Sequence, residues 1–358
     1  MSRKDRLEGL VYFARKTLRA TVRWYRQSRA FLTGKRFCCS ALAGKSSYNI
    51  GINSDLSVSC NCRDWDGAGR LGSLRENTLE EVFASTAAKA FRRKLAAGRL
   101  PILVCASCPE LRLVSPEEAR QEEVNYHVPS RGIMVENTSL CNYRCVSCSR
   151  EKLVAARKAA SWSTEDLKTV AATIRKHRIE TVAFFNLGEP FAHKHVFHQI
   201  LAIRAENPSV KISSSTNGIL LNTDEKREAA LGLVWICFSI DGPDTRTMNK
   251  YQRGAKFEVA YENMKRLVEY RDKRSARAPL IEWKYVLFNW NDRKEMIERA
   301  VSLAREANVD VISFWPTMAP IYGVSWRYYL SPFFRKIGQP CWKGREIVLR
   351  KTAETVKA

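Results

Sequence analysis

A chain of 358 residues is long enough for one large domain and a small one, and 45% hydrophobic with 10% aromatic residues excludes a disordered polymer. Sixty Lys and Arg against 37 Asp and Glu leave a net charge of +23, which favours anionic partners such as nucleic acid, an acidic membrane surface or a phosphorylated substrate. Eleven cysteines point to metal or redox chemistry rather than a disulfide scaffold, because the N-terminal apolar residues are interrupted by Arg and Lys, unlike a signal peptide, and a cytoplasmic location is expected. No apolar run nears the roughly eighteen residues that cross a bilayer.

Residues 1–36 carry eleven Lys and Arg and only Asp5 and Glu8. Leu7, Val11, Ala14, Leu18, Val22 and Tyr25 recur at three- and four-residue steps, which predicts one apolar stripe of a helix. Arg15, Lys16, Arg19, Arg23 and Arg26 fall on its other faces. Such a helix either lies on an anionic membrane or packs on the rest of the protein with a solvated face.

Residues 37–125 read as a small cysteine-rich domain. Ile50 and Ile52, then Leu56 and Val58, flank the turn Asn53-Ser54-Asp55 and predict a β-hairpin with Cys60 and Cys62 at its end. A Gly-rich stretch, a helix near 78–97 and the loop Cys105-Ala-Ser-Cys108-Pro109 follow. Cysteines at a hairpin end and in a C-x2-C loop across a helix are the layout of a metal-bound module. The candidate ligands are Cys38, Cys39, Cys60, Cys62, Cys105 and Cys108, with Cys39, Cys60, Cys105 and Cys108 the preferred four. Zinc and iron–sulfur both suit them.

From 126 to 330 strands and helices alternate, which predicts a parallel βα architecture. Six strands are expected near 131–137, 180–187, 209–216, 233–240, 280–288 and 309–315. Helices are expected near 164–177, 191–206, 224–231, 255–273 and 291–306, the first opened by a capping box at Ser163 and Asp166. The first strand delivers Cys141, Cys145 and Cys148 at C-x3-C-x2-C spacing. Thiolates hold a cubane by one cysteine per iron, so three leave a fourth iron open. A zinc site would need further ligands, and only His177 follows within the next forty residues.

The later strand ends collect polar motifs. Gly188-Glu189-Pro190 closes the second strand. Ser213, Ser215 and Asn217 share one face of the third, and their hydroxyls and amide suit a ribose or a carboxylate, although Asn-Gly also makes an ordinary turn. Trp235, Cys237, Ser239 and Asp241 share one face of the fourth by period-two geometry. Tyr251-Gln-Arg253-Gly254 with Phe257 follows, and Arg253 suits a carboxylate or a solvated loop.

Together these motifs resemble the radical S-adenosylmethionine (SAM) enzymes. The resemblance implies a partial (β/α)6 TIM-like barrel within an α/β fold. It implies a [4Fe–4S] cluster on Cys141, Cys145 and Cys148 whose open iron takes SAM, and reductive cleavage to a 5′-deoxyadenosyl radical. The Gly188–Pro190 segment is similar to the family's motif at the SAM amino group, Ser239 and Asp241 to its "SIDG" segment, and Arg253 with Gly254 and Phe257 to its "RGG-x-F" run. The residue before the last cysteine is commonly aromatic and touches adenine in the family. Here it is Ser147, so Tyr143 or Val146 is the candidate for that contact. Residues 37–125 resemble the SPASM/Twitch auxiliary-cluster module, which usually follows the barrel. That likeness implies a second [4Fe–4S] cluster, and residues 331–358 bring Cys341 to where the module's first cysteine would fall. A flavodoxin- or ferredoxin-type electron donor is implied as well.

The expected function is a radical SAM reaction on a small molecule or glycoside, anionic or carrier-linked. With no B12-binding or separate peptide-recognition domain in view, epimerisation or dehydrogenation of a sugar- or alcohol-type carbon is favoured, with a peptide-modifying maturase as the alternative. Cys237 is the candidate hydrogen-atom donor, against the plainer reading of a small buried hydrophobe. An RNA-binding or RNA-modifying iron–sulfur protein is a third reading of the basic charge. Against it, the basic residues are scattered and show no aromatic-interleaved motif, so nucleic acid is not the expected partner.

Overall fold

The computed structural model describes residues 3–60, 64 and 66–350, with side chains described from residue 17 onward. Cys62 therefore lies outside the described residues. The chain is mixed α/β with mainly parallel strands, and it divides into two compact units. One comprises Met1–Glu136, Glu151–Asn186 and Glu206–Val210; the other comprises Asn137–Arg150, Leu187–Ala205 and Lys211–Ala358.

In the first unit the predicted hairpin forms from Gly51–Ile52 and Ser57–Ser59, and Arg70–Ser73 adds a third antiparallel strand. Gly51–Ile52 also pairs in parallel with Gly132–Val135, which pairs in parallel with Thr181–Phe184. The cysteine-rich segment thus extends the same sheet as the first two expected βα strands. No local pattern announces that pairing, because parallel partners lie far apart in sequence. Arg157 locks the arrangement, donating to Glu136 at 3.1 Å and to the Asn53 side chain at 2.8 Å. Both members of the Arg157–Glu136 pair are buried, so removing either would strand a charge.

The predicted helix near 78–97 is two helices, Leu79–Phe83 and Thr86–Ala96. Thr78 and Glu81 form a capping box for the first, and the Ser85 hydroxyl caps the second by accepting from the Ala88 N–H. A side chain that restarts the helix there outcompetes its continuation. Arg36–Cys39 pairs antiparallel with Leu111–Val114, a ladder not foreseen from the sequence.

The N-terminal helix, Arg3–Leu32, forms as expected, and within the described part of its predicted stripe Val22 is half-buried. Arg23 donates to the Leu100 carbonyl at 2.7 Å, Gln27 accepts from the Leu100 N–H at 2.8 Å, and Ala30 is buried. Leu18 and Tyr25 are exposed, and the side chains of Leu7, Val11 and Ala14 lie outside the described residues.

In the second unit Lys211–Thr216, Trp235–Ser239, Leu280–Leu287 and Val311–Pro316 run parallel in that order. Together with the two strands of the first unit, these are the six expected βα strands. Ile281, Trp283, Tyr285 and Leu287 are buried on one face. There the helix Phe257–Lys273 packs, its Phe257 and Tyr261 rings meeting Trp283 at 6.3 and 6.1 Å. The opposite face carries Ser213, Ser215, Cys237, Ser239, Glu282, Lys284 and Ser313, so it is polar. The chain then adds Gly344–Val348 antiparallel to Val311–Pro316, with Gln339–Cys341 beyond it. The described part of the C-terminal extension is an edge hairpin of this sheet.

Candidate active site and auxiliary cysteine cleft

Cys141, Cys145 and Cys148 lie on a loop held at three points. Arg144–Cys145 pairs antiparallel with Gln252–Arg253, and the Val146 N–H donates to the Tyr251 carbonyl at 2.9 Å. The Gln252 side chain continues the stitch, donating to the Ser239 carbonyl at 2.8 Å and accepting from the Asp241 N–H at 3.0 Å. Sequence reasoning missed Gln252; its only signal was its place beside Arg253. Asn217 donates to Asn142 at 2.8 Å and approaches the Cys141 sulfur at 3.8 Å. Expected at a ribose or carboxylate, Asn217 is spent on the cysteine loop.

Glu189 also differs from expectation. Its carboxylate is only 2% exposed and accepts from Thr216 Oγ1 at 2.8 Å, the Asn217 N–H at 2.7 Å and the Phe191 N–H at 3.2 Å. Burial raises its pKa to about 7 against those hydrogen bonds. The carboxylate therefore organises the turn, and the backbone of 188–190 is what remains to meet a ligand. Gly188 is required for a plain reason: a Cβ there would lie 2.0 Å from the Thr138 carbonyl oxygen. The Glu189 N–H donates to Leu140 O at 2.8 Å, and Asn137 donates to Pro190 O at 3.1 Å and to Gln199 at 2.9 Å. Strand end and cysteine loop are thus one hydrogen-bonded body.

Asp241 is buried, with Oδ1 accepting from the Val286 N–H at 2.9 Å, and burial raises its pKa to about 6. Arg253 pairs through its backbone with Arg144, one residue before Cys145. Tyr143 is buried at 2% exposure, which leaves half-buried Val146 of the two candidates for the adenine contact. Burial raises all three thiols, Cys141 to about 11, while the Arg150 charge and N–H oppose the rise at Cys148. Metal loading here must expel protons.

On the polar face Ser213 stands opposite Trp235, and Ser215 opposite Cys237. Ser215 and Ser239 hydroxyls meet at 3.3 Å. Cys237 is level with Glu282 on its other side. Burial foremost, then the Glu282 charge, raise its thiol, so it stays S–H near neutral pH.

In the first unit, four thiols line one cleft. Cys39 ends its strand, Cys60 follows the hairpin, and Cys105 and Cys108 lie on and after the short helix Leu103–Ser107. The cleft holds about 360 Å³ between atoms, some of it open to solvent, and Leu42, Leu95 and Leu111 complete an apolar wall. The Cys39 thiol is raised chiefly by burial, with Cys108 and Cys105 adding to the rise, which marks the three as neighbours. Cys38 faces away by strand alternation, packing with Val114 and Ala119 beside Arg112. Cys341 is not among the residues of the cleft; its thiol feels Glu346 and Glu282. No described cysteine is in a disulfide. Among the described residues no three His, Cys, Asp or Glu close around a single ion. A cubane needs no such closure, since each thiolate binds a different iron.

Residues 135–281 match the family model of the radical SAM superfamily, and residues 38–109 match that of the SPASM iron–sulfur cluster-binding domain. The chain carries a radical SAM domain preceded by a SPASM domain. The first implies a [4Fe–4S] cluster and SAM, the second an auxiliary iron–sulfur centre. Both donor sets fit: three thiols on one braced loop, four around an apolar cleft. Among proteins it resembles, the chain is 24% identical over 188 residues to the molybdenum cofactor biosynthesis protein moc-5 of Caenorhabditis elegans, covering 51% of this chain and 30% of that protein. It is 25% identical over 207 residues to the GTP 3′,8-cyclase of Vibrio atlanticus (strain LGP32), covering 54% and 60%. The solved structure titled native anSMEcpe with bound AdoMet and Cp18Cys peptide aligns at 16% identity and a TM-score of 0.41, over 54% of each chain. The chain thus spans less than two thirds of these relatives. No described helix is long and apolar enough to cross a membrane.

Proposed function

We propose that this radical SAM enzyme acts on a sugar- or alcohol-type carbon, and that Cys237 returns a hydrogen atom to that carbon in an epimerisation. Cys141, Cys145 and Cys148 would hold the cluster that binds SAM, and Cys39, Cys60, Cys105 and Cys108 the auxiliary cluster. When bound, cluster and SAM supply a 5′-deoxyadenosyl radical that removes one hydrogen atom from the substrate.

The observation that carries the reading is the state and place of Cys237. Hydrogen-atom donation needs an S–H bond, and burial beside Glu282 keeps the thiol protonated. It sits on the polar face, level with Ser215 and Glu282. Donation to the substrate carbon radical forms a C–H bond and leaves a sulfur radical. One electron from an external donor of flavodoxin or ferredoxin type and one proton from solvent restore the thiol.

Anaerobic turnover of candidate sugars in heavy water tests this. Epimerisation places deuterium on carbon in the product, whereas two-electron dehydrogenation places none there. Cys237→Ser should stop product formation while 5′-deoxyadenosine still accumulates; unchanged turnover would remove Cys237 from the chemistry.

A further inference from the structure

The polar face that carries Cys237 has charged and polar groups that the chain does not satisfy. Glu282 is 3% exposed; Ser313 donates to its Oε1 and the Cys237 thiol lies against the carboxyl group, while the Oε2 atom has no hydrogen-bond partner among the described residues. Lys284 is two residues on and level with Ser239 and Ser313, and its ammonium makes no hydrogen bond or ion pair among the described residues. Its Nζ lies 5.3 Å from the Trp315 ring centre, and the buried Trp315 Nε1 also has no acceptor. Burial works against the Lys284 ammonium, yet the neighbouring carboxyl groups of Asp241 and Glu282 help hold its pKa above the ordinary lysine value.

A buried polar atom left without a partner is destabilising, and folded proteins rarely keep one without a reason. One buried acceptor and one buried donor left this way, with the half-buried Lys284 ammonium between a reactive thiol and the Trp315 ring, mark a prepared site. We propose that Glu282, Lys284 and Trp315 form the floor of a substrate site for a polyhydroxylated ring. One hydroxyl donates to Glu282 Oε2, and neighbouring oxygens accept from Lys284 Nζ and Trp315 Nε1. Vicinal hydroxyls offer donor and acceptors side by side. A peptide group points its donor and its acceptor in opposite directions, and an amine drawn to Glu282 is repelled by Lys284.

This site rests on the sugar-type reading above, and its test is separable from it. Titration calorimetry of the reconstituted, SAM-loaded protein uses myo-inositol and N-acetylglucosamine as probes, with tri-alanine as the peptide control. The ring probes should bind, and affinity should fall about tenfold in Glu282→Gln and in Lys284→Met, the loss expected for one unsatisfied buried group. Binding of tri-alanine alone, no binding of either ring probe, or equal affinity in the variants would overturn the site. Reductive cleavage of SAM by the unsubstituted chain, measured on the same preparation, reports separately on the radical chemistry.

A second inference stands on the N-terminal helix. Leu18, Tyr25 and Leu32 recur every seven residues, flanked by Trp24 and Phe31, and all five are exposed, Phe31 and Leu32 at 81%. Arg23 and Gln27 tie another side of the helix to Leu100. Arg19, Arg26 and Arg29 lie on the same helix, and residues 1–36 hold eleven Lys and Arg in all. We infer that this face seats on an anionic lipid surface, the apolar row entering the acyl boundary and the arginines meeting headgroups. The full chain should co-sediment with phosphatidylglycerol-containing vesicles and not with phosphatidylcholine alone, and the Trp24→Ser, Phe31→Ser double variant should lose binding at least about tenfold, the order expected from two exposed aromatics. Self-association without vesicle binding, or equal binding by the variant, would overturn it.

Discussion

The loop bearing Cys141, Cys145 and Cys148 and the cleft lined by Cys39, Cys60, Cys105 and Cys108 both gather thiols, but from opposite materials. Three come from one short segment, held by polar contacts from Gln252, Asn217 and the 188–190 turn. Four come from scattered positions that an apolar wall brings together. A three-thiol set leaves one iron of a cubane open for a ligand, whereas four thiols complete it. An open coordination position marks a site of chemistry, and a filled one marks a structural or electron-carrying site.

That contrast can be broken most directly by substitution. Cys145→Ala should abolish reductive cleavage of SAM, read as 5′-deoxyadenosine formed. Cys105→Ala should instead lower bound iron from roughly eight to roughly four per chain while cleavage remains measurable, by the one-cysteine-per-iron count. If Cys105→Ala leaves iron content untouched, the cleft is not a cluster site. Cys38→Ala sharpens the comparison within one dipeptide: iron content should not change, because Cys38 packs with Val114 and Ala119. The smallest effect is expected at the brace. Gly188→Ala puts a Cβ 2.0 Å from the Thr138 carbonyl oxygen and should cost about 1–3 kcal/mol of stability, read as a lowered thermal midpoint.

Much of this was legible in sequence where the signal is local. The strands expected near 209–216, 233–240 and 280–288 form at Lys211–Thr216, Trp235–Ser239 and Leu280–Leu287. The Ser163–Asp166 capping box opens its helix as read. Cys39 over Cys38 follows from strand alternation once the strand is known, but two adjacent cysteines give no phase by themselves. Glu189 and Asn217 were read as ligand contacts because polar residues at strand ends suit ligands. The structure uses their side chains to bind the cysteine loop to the strands, and only the fold reveals which partner a carboxylate finds. The apolar stripe on the N-terminal helix left membrane and protein open as its partner, because periodicity shows that an amphipathic face exists, not what covers it.

By itself the sequence determined the three-thiol spacing, the alternation of strands and helices, and the polar and apolar faces of each strand. These depend on residues a few positions apart, within reach of a turn or a helical period. Tertiary structure alone decided which four distant cysteines share a cleft, which hydrogen bonds brace the loop, and that Glu282 and Lys284 stand beside Cys237 on one polar face. Those outcomes depend on which strands become neighbours, and chain separation carries no record of that.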